Sequence, residues 1–164
     1  MGGFLAFAPL HASAVGLART SIPLFVYGIV VVICRIAFAK VPDRLPSLPV
    51  GASALVAIAA GLTIMALWSS PMGMIIGTAL MAIGVTFSTP AFFTAIFATA
   101  RPSERGAASG TASAFIDLGL GGGPILMGFV AQAAGIPWAF GVAASVALAG
   151  SVWTLSLRRA STRS

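Results

Sequence analysis

One carboxylic acid, Asp117, lies inside a long apolar stretch of this chain. No charged residue stands between Arg105 and Asp117, and none follows until Arg158. A carboxylate at the centre of a membrane costs about 3 kcal/mol on insertion scales, so such groups usually face a bundle interior or an aqueous cavity. We expect Asp117 to serve a proton or polar-substrate pathway. A structural hydrogen bond to a neighbouring helix is one alternative, and a depth nearer the membrane surface is another.

The single histidine, His11, lies near the start of the chain beside Ser13. A lone imidazole without nearby carboxylates or thiolates makes a poor metal site. Cys34 is the only cysteine, which excludes an internal disulfide and a metal cluster built from thiolates. We therefore predict no metal and no cofactor. A packing or interfacial role is the first interpretation of His11, and a place along a proton or substrate pathway is the alternative.

Arg35, Asp43 and Arg44 form a short charged cluster after the second apolar stretch. Exposed ion pairs contribute only about 0–1 kcal/mol to stability. A network that exists in only one conformation can still favour that conformation over another. The cluster is therefore a candidate gating loop on the membrane surface.

Glycine is concentrated around Asp117, and a proline lies among the glycines. Glycines spaced four residues apart let two membrane helices approach closely, whereas glycine beside proline favours a bend. Both roles are compatible in one helix, and Pro90 predicts a second kink further upstream. The candidate bend and packing residues are Gly110, Gly119, Gly123, Pro124, Gly128 and Pro90.

The elements that position these residues follow from composition. The chain has 164 residues, of which 59% are hydrophobic and 7% are charged. Soluble domains carry about 25% charged residues, so the chain is predicted to be an integral membrane protein whose first partner is the lipid bilayer. The net charge of +6 does not indicate nucleic acid, because the basic residues flank apolar stretches without interleaved aromatics. Nothing in the sequence indicates an enzyme.

Proline, glycine and charged residues divide the chain into six apolar spans, each predicted to be helical. A full crossing needs about 20 apolar residues, so the first span is read as a truncated helix and the chain as a fragment. A basic cytoplasmic tail, predicted to be disordered, occupies residues 158–164. The predicted spans are residues 2–15, 22–39, 50–68, 72–99, 106–133 and 138–157.

The basic residues also predict orientation. All Lys and Arg residues except Arg19 fall on one side of the predicted spans. Because short cytoplasmic loops carry the positive excess, that side is predicted to be cytoplasmic and to include the C-terminus. Trp68 and Trp138 fall at the opposite ends of their spans, where interfacial aromatic rings are common. The expected location is the inner (plasma) membrane, crossed several times.

Three segments resemble motifs of one transporter family. Residues 35–45 resemble a degenerate copy of the loop motif Gly-x-x-x-Asp-Arg-x-Gly-Arg-Arg, with matches at Asp43 and Arg44 but not at Ala39 or Pro46. Residues 101–110 are similar to the cytoplasmic start of helix eleven in efflux-type members. Residues 110–128 resemble the antiporter motif Gly-x8-Gly-x3-Gly-Pro-x2-Gly-Gly, with Met127 in place of one glycine. The family is the major facilitator superfamily of secondary transporters.

That resemblance implies an all-α integral membrane fold, namely the C-terminal six-helix half-bundle of the family with helix seven truncated. Helices one to six are the alternative register, but the fourth span lacks the arginine usual near the start of helix four. The family architecture implies a missing N-terminal six-helix half, and a small-molecule solute bound near the midplane between two rocking halves. Helices seven, eight, ten and eleven would border the cavity, and nine and twelve would face lipid.

The implied function is proton-coupled efflux of a small organic solute. Two alternatives remain open at this point. One is an inactive transporter fragment, and the other is a membrane scaffold or accessory protein that transports nothing.

Overall fold

The computed structural model describes residues 1–38 and 46–161, and it describes side chains as far as Leu157. These residues form six α-helices and no strand, which confirms the predicted all-α fold. A 3-10 turn, Pro102–Glu104, precedes the fifth helix. The helices are α1 (Gly2–Ala14), α2 (Ile22–Ala37), α3 (Ser47–Leu67), α4 (Pro71–Thr99), α5 (Arg105–Ala134) and α6 (Ile136–Ser161).

Two helix ends differ from the sequence prediction by three residues or more. α3 begins at Ser47 rather than at residue 50, because Pro49 falls in the first turn, where a missing N–H has no helical partner to lose. α6 continues through Ser161, four residues beyond the predicted end. No glycine or proline interrupts residues 158–161, so this part of the tail is helical and the expected disorder was wrong there.

Two tight turns on the predicted outer side depend on glycine. Gly16, between α1 and α2, has a φ of +83°, and Gly135, between α5 and α6, has a φ of +96°. Side chains of L-residues are strained in this region of backbone space, whereas glycine is not. These two residues therefore allow the chain to reverse direction within one or a few residues.

Within the described ranges, four helices are long and apolar enough to cross a membrane. Their candidate spans are Ser47–Leu67, Pro71–Thr99, Pro102–Ala134 and Ile136–Leu157. α2 is a shorter apolar helix of 16 residues, and α1 has 13 residues. The chain is thus a multi-pass membrane protein.

The packing centre of the bundle is α3, which has its most extensive contacts with α4 and α6. α4 also packs against α2, and α5 packs against α6 and α1. The buried Ser151 hydroxyl on α6 donates a hydrogen bond of 3.0 Å to the Ala52 carbonyl on α3. The largest buried apolar side chains in the interior are Phe4, Met65, Met74, Met81 and Phe140.

α3 and α4 approach each other backbone to backbone. A Cβ atom placed on Gly61 would lie 2.5 Å from the Gly77 carbonyl oxygen, and one on Gly77 would lie 2.6 Å from that of Gly61. About two helical turns further along α4, a Cβ on Gly84 would lie 2.5 Å from the Ala54 carbonyl oxygen. Sequence reasoning missed this contact, because it sought the packing glycines in α5. The three glycines are spread over two helices and form no local motif.

This contact predicts that Gly77→Ala destabilises the bundle by about 1–3 kcal/mol, because the added methyl group has no space between the two backbones. The matched control is Gly121→Ala on α5, where a Cβ would meet nothing within 4 Å. The measurement is the midpoint of thermal unfolding in detergent, followed by the loss of helical circular dichroism. Equal midpoints for the two variants would contradict the close approach.

Candidate functional site

Asp117 lies near the middle of α5 with its side chain exposed. It stands 12 residues after the first residue of a 30-residue helix, which is about 18 Å along an axis of about 45 Å. In the part of the chain that the structure describes, it has no hydrogen-bond or ion-pair partner. The alternative of a structural hydrogen bond to a neighbouring helix is thus not formed among the described residues.

The surface around Asp117 carries very little side-chain bulk. One face of α5 carries five residues at alternating intervals of four and seven. They are Gly106, Gly110, Asp117, Gly121 and Gly128. A Cβ on Gly106, Gly110 or Gly121 would meet nothing within 4 Å. Only 6% of the most apolar segment of this helix is buried, against 39% in α3. The acid thus stands on a face of α5 that is open at Gly106, Gly110 and Gly121 and meets α1 at Gly128.

His11 has a different environment and is 2% exposed. Its Nε2–H donates a hydrogen bond of 3.1 Å to the Met65 carbonyl oxygen. α3 ends at Leu67, and the last helical bond of this turn runs from the Trp68 N–H to the Ile64 carbonyl. Met65 therefore has one of the carbonyls that a helix end leaves without a helical donor, and His11 caps it.

The second ring nitrogen of His11, Nδ1, is buried and has no hydrogen-bond partner among the described residues. The ring packs edge-on against Phe140 of α6, with the ring centroids 5.2 Å apart. One side chain of α1 thus contacts both α3 and α6. This arrangement favours the packing interpretation of His11 over a place on a solute pathway.

The structure does not bring His11 and Asp117 together. Along their shared contact, Gly3 of α1 lies beside Gly123 of α5, and Phe7 lies beside Gly128. His11 is one further turn toward the outer end, whereas Asp117 lies almost two turns toward the inner end from Gly123. The two titratable groups are therefore well separated in depth.

The predicted gating cluster is only partly described. Arg35 lies in the last turn of α2 rather than in the loop that follows it, and its side chain is exposed. Asp43 and Arg44 lie outside the described residues. Arg35 also lines a cavity of about 290 Å³ between α2 and α4.

Three cavities lie close to Thr89 and Pro90 of α4, and sequence reasoning missed all three. The cavity beside Arg35 is lined also by Cys34 and Thr86. A second, of about 310 Å³, lies inside the bundle, and a third, of about 380 Å³, lies between α4 and α5. Thr89 lines all three. The sequence contained one indication of them, the pair Ser88 and Thr89 directly before Pro90. Proline within a membrane span interrupts the helical hydrogen bonds, and neighbouring hydroxyl groups can bond the backbone groups that it frees.

The residues predicted to bend or pack helices have separate surroundings. Pro90 and Pro124 lie inside the continuous helices α4 and α5, so each removes one helical N–H donor without ending its helix. Gly123 and Gly128 lie against α1, with a Cβ on Gly128 3.8 Å from Phe7 Cζ. A Cβ on Gly110 or Gly119 would meet nothing within 4 Å. The predicted bend at Pro124 stays a prediction.

Comparison with known proteins places this bundle in a family. The model of the Major Facilitator Superfamily matches residues 1–164. The chain belongs to the major facilitator superfamily. This membership agrees with the six-helix bundle and its candidate membrane spans.

Relatives of this major facilitator chain are longer than it is. It is 32% identical over 164 residues to an uncharacterized MFS-type transporter of Pseudomonas aeruginosa (strain UCBPP-PA14), covering 99% of the chain and 40% of the relative. It is also 32% identical over 149 residues to an uncharacterized MFS-type transporter of Burkholderia mallei (strain SAVP1), covering 91% of the chain and 37% of the relative. The chain thus spans about 40% of the length of these transporters. No solved structure matches it.

The environment of His11 predicts that a donor at this position stabilises the major facilitator bundle. His11→Phe keeps a ring beside Phe140 but leaves the buried Met65 carbonyl without its donor, which should cost about 1–3 kcal/mol. His11→Gln retains a donor and should lose less. The measurement is the thermal unfolding midpoint in detergent, and a phenylalanine variant at least as stable as the glutamine variant would exclude the capping role.

Proposed function

We propose that this chain is the C-terminal half of a secondary transporter that exports a small organic solute across the inner membrane in exchange for protons. The observation that carries the proposal is the exposed Asp117 near the middle of an apolar helix. An ionisable group at that depth is costly unless it reaches water, a partner or a solute. A transport function accounts for this cost, because a carboxylate that is exposed in turn to each aqueous side can carry protons across the membrane.

The open face of α5 supports the proposal that a second six-helix half packs against this surface. α3 and α6 make extensive contacts within the chain, whereas α5 is the least buried of the four long helices. A face of glycines allows close approach of another helix. A six-helix half placed against it would line a cavity that contains Asp117, and alternating access would follow from rocking of the two halves.

The cavities around Pro90 support a small organic solute. Their volumes, about 290 to 380 Å³, lie at the lower end of the range of about 300–1,000 Å³ usual for small-molecule sites. Aromatic and aliphatic side chains form most of their walls, with a few hydroxyl groups. Contributions from a second half would enlarge this space.

Proton coupling is tested at Asp117 in the complete transporter, reconstituted in liposomes with an imposed pH gradient. Asp117→Asn keeps the size and polarity of the side chain but cannot release a proton. We expect solute flux to become independent of the gradient, with coupled flux reduced about 100-fold or more. Asp117→Glu is the matched control and should retain part of the coupling.

Three outcomes would contradict the proposal. Full coupling in Asp117→Asn at equal expression would return the residue to a structural role. A cysteine introduced at position 117 that resists water-soluble thiol reagents in the assembled protein would favour a scaffold without a transport cavity. Absence of flux from every assembly that contains this chain would favour an inactive fragment.

Orientation is a separate prediction of the proposed topology. Because Arg101, Arg105 and Arg158 share one side with the C-terminus, a fluorescent protein fused after Ser164 should fold in the cytoplasm and fluoresce. Alkaline phosphatase fused at the same position should be inactive, since it requires export. Fusions within the turn between α5 and α6 should give the opposite result. Active phosphatase at the C-terminus would invert the topology.

A further inference from the structure

Among the residues that the structure describes, Arg35 is the only cationic one that lines any of the three cavities around Pro90, and it lines the cavity between α2 and α4. Arg35 lies there with Phe38 and Phe87, whose rings meet edge to face with centroids 5.9 Å apart. A guanidinium stays charged at all physiological pH values and binds carboxylates and sulfonates through paired hydrogen bonds. A fixed positive charge therefore borders a cavity whose other lining residues carry no charge.

Thr89 lies at the junction of this charged cavity and the other two, because it lines all three. The neighbouring hydroxyls bond back to their own helix, Thr86 to the Ala82 carbonyl at 2.8 Å and Ser88 to the Val85 carbonyl at 3.1 Å. Thr89 makes no such bond in the part of the chain that the structure describes, and its side chain is exposed. Its hydroxyl is thus free to bind a solute at the junction.

The third cavity is suited to a flat apolar group. Phe92, Phe93 and Phe115 line it, together with aliphatic residues of α4 and α5. Aromatic rings stack on or against one another in offset and edge-to-face arrangements, which favours planar ring systems. Asp117 is adjacent to the lining residue Ile116 in sequence but is not itself among the residues that line these cavities.

We infer that these cavities form one solute site for small organic anions, with a flat apolar body between α4 and α5 and an acidic group at Arg35. The ligand class is aromatic carboxylates and sulfonates. Binding of such anions follows from the geometry of this chain, whereas their role as the exported solute rests on the proposed function. In that role Asp117 would supply the proton coupling, and Arg35 would select the charge of the solute.

The test compares two probes of similar size and opposite charge, 2-naphthalenesulfonate and 2-naphthylmethylammonium. Both are titrated calorimetrically into the chain in nanodiscs of zwitterionic lipid. We expect the anion to bind at least about tenfold more tightly than the cation. Arg35→Gln should remove that preference, and Arg35→Lys should retain part of it. Arg19→Gln, which removes a cation from the outer turn, is the control and should change nothing.

Cys34 gives an independent readout, because it lines the same cavity as Arg35 and is the only cysteine of the chain. Bound naphthalenesulfonate should slow alkylation of Cys34 by N-ethylmaleimide, and the ammonium probe should not. Thr89→Val should weaken both binding and protection by about three- to tenfold. An unchanged alkylation rate of Arg35→Gln without probe shows that its fold is intact.

Equal affinity for the two probes, or an Arg35→Gln variant that binds the anion as the wild type does, would overturn the inference. This failure is distinct from that of the proposed function. Anion binding here together with unchanged coupling in Asp117→Asn would support the anion site and exclude Asp117 as the proton-coupling group. Intact coupling through Asp117 without anion binding would support the proposed function and overturn the inference about the anion site.

Discussion

The arrangement of this half-bundle depends on the contact between α3 and α4 at Gly61 and Gly77. Lipid gives apolar helices little reason to associate, so membrane bundles are held by close packing and by a few polar contacts. Here two backbones approach until neither glycine could carry a side chain. α6 is fixed to the same helix by the bond from Ser151 to Ala52, and α2 packs on the other side of the pair, against α4. The two central helices thus form a rigid base for the rest.

In contrast to the packed pair α3 and α4, helix α5 is largely exposed. α5 reaches the base mainly through α6 and α1, and its packed residues, such as Met127, lie in its outer half. Its inner half, which contains Asp117, has little contact with α4. His11 shows the contrast, because its hydrogen bond and ring contact join the short helix α1 to α3 and α6 at the outer end. Of these two residues, His11 is therefore used for packing, and Asp117 stands on a surface that is free to contact a partner.

The sequence was sufficient to predict the features that depend on composition and on the helix-breaking residues between the spans. Long charge-free stretches predicted the all-α membrane fold, and Gly16 and Gly135 fall in the turns where breakers were expected. It was insufficient for features that depend on which helix lies beside which. The contact of Gly61 with Gly77, the cap of His11 on Met65 and the position of Arg35 in a cavity join residues distant along the chain. Glycine density in α5 pointed to packing, yet Gly106 and Gly110 have no neighbour in the described residues.

α4 combines the rigid and the open parts of the molecule in one helix. Its outer half, with Gly77, Met81 and Gly84, is packed against α3, and its inner half beyond Ser88 borders cavities. Pro90 lies just past this boundary. It removes the N–H that would bond to the Thr86 carbonyl, so it places an unpaired backbone acceptor beside the cavity that Arg35 lines. Such an irregularity inside a membrane is tolerated where it borders a cavity or is buried in protein. A solute held in the cavity between α4 and α5 would contact one wall that the α3 contact fixes and, across the cavity, a helix that has little contact with α4. In the function proposed above, such a site would keep one wall in place while the other moves, which alternating access requires.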